Sequence, residues 1–184
     1  MATKPERVVL TYEDYLSLPD DRNRYEILEG DLEVTPAPSI AHQDAAGNLF
    51  VFLRAHVRRH RLGKVLIAPC DVLLSEVNVV QPDLLFVSRQ RQDIVLESRV
   101  EGAPDLVVEV ISPTTARRDR EVKRNIYARY GVPNYWLVDP DQGQLVAYVL
   151  EDGSYRQPVA ASGDESFSAP PFADLAIPVS DIWA

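Results

Sequence analysis

Leu106-Val107-Val108-Glu109-Val110-Ile111-Ser112-Pro113 is an apolar run with one carboxylate near its centre. Its length and Val/Ile content predict a strand, and a strand apolar at successive positions is one covered on both faces. A carboxylate cannot stay ionised and alone in that setting. Burying it unpaired costs several kcal/mol, so a proton, a basic partner or a metal has to neutralise it. Glu109 is therefore both the marker of a doubly covered sheet and the first candidate site residue.

Short Val/Leu/Ile-rich segments at 65–68, 71–74 and 84–87 predict further strands before it. Segments 135–138 and 145–150 predict two more after it, about the turn Asp139-Pro140-Asp141-Gln142-Gly143, with an edge strand at 155–159. Residues 24–28 and 32–35 form a hairpin about Glu29-Gly30-Asp31. Three stretches carry helical period. Thr11 with Asp14 makes a capping box for a short helix that Pro19 stops. A long amphipathic helix runs from His42 to Leu62 and ends at Gly63, and a third spans Arg117 to Tyr130, with Val122, Ile126 and Tyr130 as its inner stripe. The tail holds scattered apolar anchors between prolines: Phe167, Phe172, Leu175, Ile177 and Trp183.

The 184 residues, 46% apolar and 26% charged, suit one domain over 1–184 with a single core. No apolar run approaches the roughly 18 residues of a membrane helix. An N-terminus carrying Glu6, Asp14, Asp20 and Asp21 lacks a secretory signal core, and a lone Cys70 fits a reducing cytoplasm. The net charge of -9 argues against a general affinity for nucleic acid. Phosphate-loop and common nucleophile motifs are absent, and one Cys with three His disfavours zinc. His56 and His60 have the i, i+4 spacing of metal ligands. The neighbouring Arg58, Arg59 and Arg61 favour reading them as part of a solvated basic helix face.

Two aspartates that follow prolines compete as partners for Glu109. Asp105 is four residues away on the same strand, roughly 13 Å at about 3.3 Å per residue, too far to share one ion. Asp83, in Gln81-Pro82-Asp83-Leu84, opens a separate strand that can lie beside Glu109. Asp83 is the better partner.

Asp83 with Glu109-Val110-Ile111 resembles the signature of the PD-(D/E)XK nuclease superfamily. The wider text resembles the Uma family of restriction endonucleases within it. The carrying segments are Tyr25-Glu26-Ile27-Leu28-Glu29-Gly30-Asp31-Leu32, Gln81-Pro82-Asp83, residues 106–113, Lys123 with Tyr127, and residues 131–140. The resemblance implies an α/β (α+β) fold, a mixed central sheet flanked by helices with an N-terminal hairpin. It also implies a hydrolytic site with Asp83 and Glu109 as ligands of Mg2+ (or Mn2+), Glu26 as a third carboxylate, and Lys123 as the catalytic cation. His42 and Tyr127 stand as supporting residues. One departure matters: the superfamily's lysine would fall at position 111, which is Ile. Lys123, on the stripe Asp119-Lys123-Tyr127, is the candidate replacement.

The expected activity is a magnesium-dependent endonuclease acting on DNA. The competing expectations are a nuclease fold without catalysis that binds nucleic acid or regulates, and an interaction protein in which Asp83 and Glu109 lie far apart. The charge is unevenly placed. Residues 54–64 and 117–129 hold eleven of the nineteen Lys and Arg, whereas residues 13–33 carry eight acids against Arg22 and Arg24. Arg58, Arg59, Arg117, Arg118 and Arg120 are the candidates for a weak, localised contact with DNA phosphates. A homodimer is the default assembly.

Overall fold

The computed structural model describes residues 7–21, 23–156 and 158–183; Glu6 and Arg22 lie outside them. Helix α1 (Tyr12–Tyr15) opens at Thr11, whose amide and hydroxyl both donate to Asp14 Oδ2, at 2.8 and 3.0 Å. Strands β1 (Arg24–Leu28) and β2 (Asp31–Thr35) pair with Leu28 opposite Asp31. The two turn residues, Glu29 and Gly30, have φ of 53° and 83°, the left-handed geometry that matches the strand twist in a two-residue hairpin. Ser39 caps α2 (Ile40–His60), accepting from the His42 amide at 3.2 Å.

Strands β3 (Gly63–Ile67), β4 (Asp71–Ser75), β5 (Asn78–Val80), β6 (Leu84–Ser88), β7 (Arg99–Glu101) and β8 (Leu106–Val110) follow. A π-wound stretch, Arg118–Lys123, leads into α3 (Arg124–Arg129). Then come β9 (Asn134–Asp139), β10 (Gln144–Glu151), β11 (Ser154–Tyr155), β12 (Val159–Ser162), β13 (Ser166–Ala169) and β14 (Phe172–Pro178).

The central sheet is mixed, in the order β11-β10-β9-β8-β6-β3 with β12 also on β10; β8 and β9 run parallel. Alternate residues of β6 and β8 feed two cores. Leu84, Phe86, Leu106, Val108 and Val110 pack under α2 with the β13–β14 ribbon. Leu85, Val87, Val107 and Ile111 face the opposite way, onto Ile126 and Tyr127. The hairpin is not an isolated appendage. It forms the edge of a second sheet, β2-β1-β5-β4-β7, whose Leu28, Val72, Val80 and Val100 close that second core. Among the described residues no helix is long and apolar enough to cross a membrane.

Four expectations change. The left-handed residue ending α2 is Arg61 (φ 55°), not Gly63. Gly63 instead begins β3, where an added Cβ would run into the carbonyl oxygen of Val87, so glycine is needed for close approach. The stripe Val122-Ile126-Tyr130 is buried only in part: Ile126 is a core residue and Tyr130 packs against the core, but Val122 is 40% exposed, and the neighbouring Asp119, Lys123 and Tyr127 are buried as well. The wider π winding, with i→i+5 bonding, keeps residues 119, 123 and 127 in line. The predicted edge strand 155–159 is divided between β11 and β12, with Gln157 outside the described residues. The tail is an ordered ribbon whose Phe167, Phe172 and Ile177 are core residues.

Gly63→Ala should cost about 1–3 kcal/mol in urea unfolding, because the close pairing of β3 with β6 has to open. Gly47→Ala, in mid-helix with nothing within 4 Å of the added carbon, should gain up to about 1 kcal/mol. Equal effects at the two glycines would contradict this packing.

Candidate active site

The antiparallel register of β6 on β8 sets Leu84 opposite Val108. Continued by one residue, it sets Asp83 opposite Glu109, and residues directly across such a pair share one face of the sheet. Asp83 Oδ2 accepts the amide of Val110 at 2.7 Å, which holds the carboxylate against the end of β8 beside Glu109. Asp105 is elsewhere: it accepts the Ser88 amide at 2.7 Å and pairs with Arg91 at 3.2 Å. Asp83, and not Asp105, is the aspartate held beside Glu109.

Lys123 enters from the helix on the second-core side of the sheet. Its Nζ lies 2.7 Å from Glu26 Oε1 and 2.8 Å from Glu109 Oε1, and the side chain is fully buried. Tyr127, one turn on, donates its hydroxyl to the same Glu109 oxygen at 2.6 Å. Glu26 Oε1 also accepts the Gln81 amide at 2.8 Å, whereas its Oε2 is buried without a hydrogen-bond partner. Asp119 is buried on the same helix stripe, with Oδ1 3.7 Å from Arg118 Nε and making no hydrogen bond. Ile111, where the superfamily's lysine would sit, is part of the apolar second core. The buried cation beside Glu109 comes from the helix instead.

On the cleft side, Arg24 Nη1 donates to Asp83 Oδ1 at 2.7 Å, and His42 Nε2 lies 3.1 Å from the same oxygen. These residues, with Gln81 and Val110, floor a cleft of about 850 Å³, within the usual range of ligand sites. Its walls are the segment after α1, the Pro36–Ser39 loop and residues 112–115. Asp83 faces the cleft, and Glu26, Glu109 and Lys123 lie behind it.

The electrostatics separate the three carboxylates. Burial, reinforced by Asp119, Asp83 and Glu26, pushes Glu109 up to about 8 despite Lys123. Burial also acts on Glu26, but Lys123 and Arg24 outweigh it and hold that carboxyl below its ordinary value. Asp83 is likewise held low against its burial by His42, Arg24 and the Val110 amide. Lys123 stays charged: its desolvation is outweighed by Glu109, Glu26 and Asp119. Four buried acids thus face the buried Lys123 and the partly buried Arg24, and the excess of acids is relieved by the proton that Glu109 keeps up to about pH 8.

A sequence profile for the Uma2 family, described as "Putative restriction endonuclease", matches residues 12–180. The chain belongs to the Uma2 family. The crystal structure of a putative nuclease belonging to DUF820 from Anabaena variabilis is similar over 95% of this chain and 97% of that one. Its TM-score is 0.78 at 19% sequence identity, which shows a shared fold. No curated protein matches the chain.

In this Uma2 chain the structure brings together Glu26, Asp83, Glu109 and Lys123, with His42 on Asp83 and Tyr127 on Glu109. Sequence reasoning missed Arg24, Gln81 and the burial of Asp119. Arg24 sits two residues before Glu26, so strand alternation alone places both on one face. The basic candidates scatter. Arg58 and Arg59 are sixteen or more residues from His42 along α2, about 24 Å away. Arg118 bonds Glu33 at 3.2 Å and Thr35 at 3.0 Å, Arg120 pairs with Asp139 at 2.6 Å, and Arg117 is exposed beside Glu121. Only Arg117 and Arg118 adjoin a cleft wall, the one built from residues 112–115.

A carboxyl raised from 4.5 to about 8 binds more proton folded than unfolded, so metal-free stability should fall as pH rises through that window. The slope should reach at most about 1.4 kcal/mol per pH unit, and Glu109→Gln should remove it; an unchanged slope in that variant would contradict the assignment. Lys123→Met should cost about 3–5 kcal/mol, because two carboxylates are left buried without their cation. Adding Glu26→Gln should recover part of that loss in denaturant unfolding, and purely additive effects would contradict the shared ion pair.

Proposed function

We propose that this protein is a divalent-metal-dependent nuclease that hydrolyses phosphodiester bonds in DNA, with Asp83 and Glu109 holding the ion. The observation that carries this reading is the convergence of Asp83 and Glu109 on adjacent strands with Lys123 beside them. The residues fit a hard cation. Carboxylate oxygens are the ligands that Mg2+ or Mn2+ prefers, Glu26 offers a buried oxygen without a partner, and a bound cation would offset the charge that Glu109 gains on giving up its proton. When bound, the ion supplies Lewis-acid polarisation of the phosphate and a coordinated water more acidic than bulk water. Lys123, buried behind Asp83 with Glu26 and Glu109, adds a fixed positive charge to the site in a setting too dry to screen it. Tyr127 and Glu26 orient that ammonium and Glu109. Arg24 and His42 steady Asp83 and present donors to an anionic substrate entering the cleft. The third expectation, an interaction protein with separated carboxylates, loses its basis once Asp83 accepts the amide next to Glu109.

A second reading, a nuclease fold that binds nucleic acid without cutting it, draws on the complete burial of Lys123 and on its direct pairing with Glu109. Nicking of supercoiled plasmid, measured with calorimetric titration of Mn2+, decides between the two. The enzyme reading predicts metal-dependent nicking reduced at least 100-fold by Asp83→Asn, Glu109→Gln or Lys123→Met, with ion binding lost in the first two. No divalent binding at millimolar concentration with DNA present would overturn it.

A further inference from the structure

His56 and His60 stand one turn apart near the C-terminal end of α2, with ring centroids 4.6 Å apart. Their sequence context suggested a solvated basic face. Instead His56 is only 9% exposed and sits edge-on against Phe172, 5.4 Å between centroids. Its Nε2 is buried and makes no hydrogen bond. A buried ring nitrogen without a partner is costly and calls for one. The atom it faces is Asp174 Oδ1 on β14, at 3.4 Å and outside hydrogen-bond alignment. One ligand atom from each of His56, His60 and Asp174 lies within 4.8 Å of the other two.

We propose that His56, His60 and Asp174 form a second metal site that takes a transition-metal ion, Zn2+ first among them. Tetrahedral bonds of about 2.0–2.2 Å hold neighbouring ligand atoms about 3.3–3.5 Å apart. The pair His56 Nε2 and Asp174 Oδ1 already has that separation, and the exposed His60 ring can turn to complete three ligands, leaving a fourth position for water. Two imidazoles and one carboxylate select zinc or its neighbours over magnesium. The helix C-terminus contributes negative potential, and with Asp174 it offsets Arg58, Arg59 and Arg61, whose exposed guanidinium groups extend into solvent. The ion clips the end of α2 to the β13–β14 ribbon. The site is distinct from the carboxylate cluster, because His42 and His56 are fourteen residues apart on α2, about 21 Å.

The test is calorimetric titration of ZnCl2 into the whole chain in saturating Mg2+, repeated on Asp83→Asn/Glu109→Gln and on His60→Ala/Asp174→Asn. The last pair alters exposed side chains, and an unchanged metal-free melting curve verifies its fold. One zinc per chain is expected in the wild type and in the carboxylate variant. At least 100-fold weaker binding is expected in His60→Ala/Asp174→Asn, which should also lose the visible absorption of tetrahedral Co2+. No zinc binding at about 100 µM overturns the proposal. So does zinc that survives in His60→Ala/Asp174→Asn and disappears in the carboxylate variant.

Discussion

The ammonium of Lys123, shared between Glu26 and Glu109, joins three parts of the molecule that could otherwise slide. Glu26 belongs to β1 of the hairpin sheet, Glu109 to β8 of the central sheet, and Lys123 to the helix between them. The bonds are short, 2.7 and 2.8 Å, and no water reaches the lysine. As a stabilising device this is inefficient. Desolvating one cation and two anions costs as much as their attraction returns, and apolar residues of similar volume would serve stability as well. The arrangement also leaves Glu109 short of compensating charge, which is why its carboxyl is pushed up to about 8. A buried cluster that is costly, strained in charge and set directly behind the cleft-facing Asp83 has the character of a reactive site rather than of a core.

The charge segregation visible in the sequence has a structural use inside the chain. The acidic hairpin and the basic helix dock on each other through Arg118 with Glu33 and Arg129 with Glu29, at 3.2 and 2.6 Å. These pairs are partly exposed and contribute little individually, but they sit around the Lys123 triad and steer the helix onto the hairpin. Much of the basic charge of residues 117–129 is therefore matched within the fold. A phosphate backbone would meet the exposed remainder at Arg117 and, at the far end of α2, Arg58 and Arg59.

Legibility in the sequence followed the strength of local signals. Glu109 could be read because a carboxylate in an apolar strand has few explanations. Asp83 could be read because strand geometry disqualified Asp105. The hairpin was fixed by Glu29-Gly30, and α2 by its period. The second sheet was not legible, since β5 and β7 have three residues each and show no alternation. The ribbon was hidden by Pro170-Pro171 and by side chains whose burial depends on partners far along the chain. The inner face of the last helix was read in part: Ile126 is in the core as its spacing suggested, but the apolar pattern favoured Val122 over Lys123, which is the buried residue of the two. Arg24 could have been placed on the face of Glu26 by strand alternation, but its pairing with Asp83, 59 positions away, and that of Asp174 with His56, 118 positions away, are relations that no local pattern carries.

Anomalous difference density from crystals soaked in Mn2+ reads the metal ligands themselves. Metal binding by the two carboxylates predicts a peak about 2.1 Å from oxygens of Asp83 and Glu109, with Lys123 displaced from Glu109 or sharing it with the ion. Crystals at the same Mn2+ concentration with no peak there, and with Lys123 still held between Glu26 and Glu109, would contradict it.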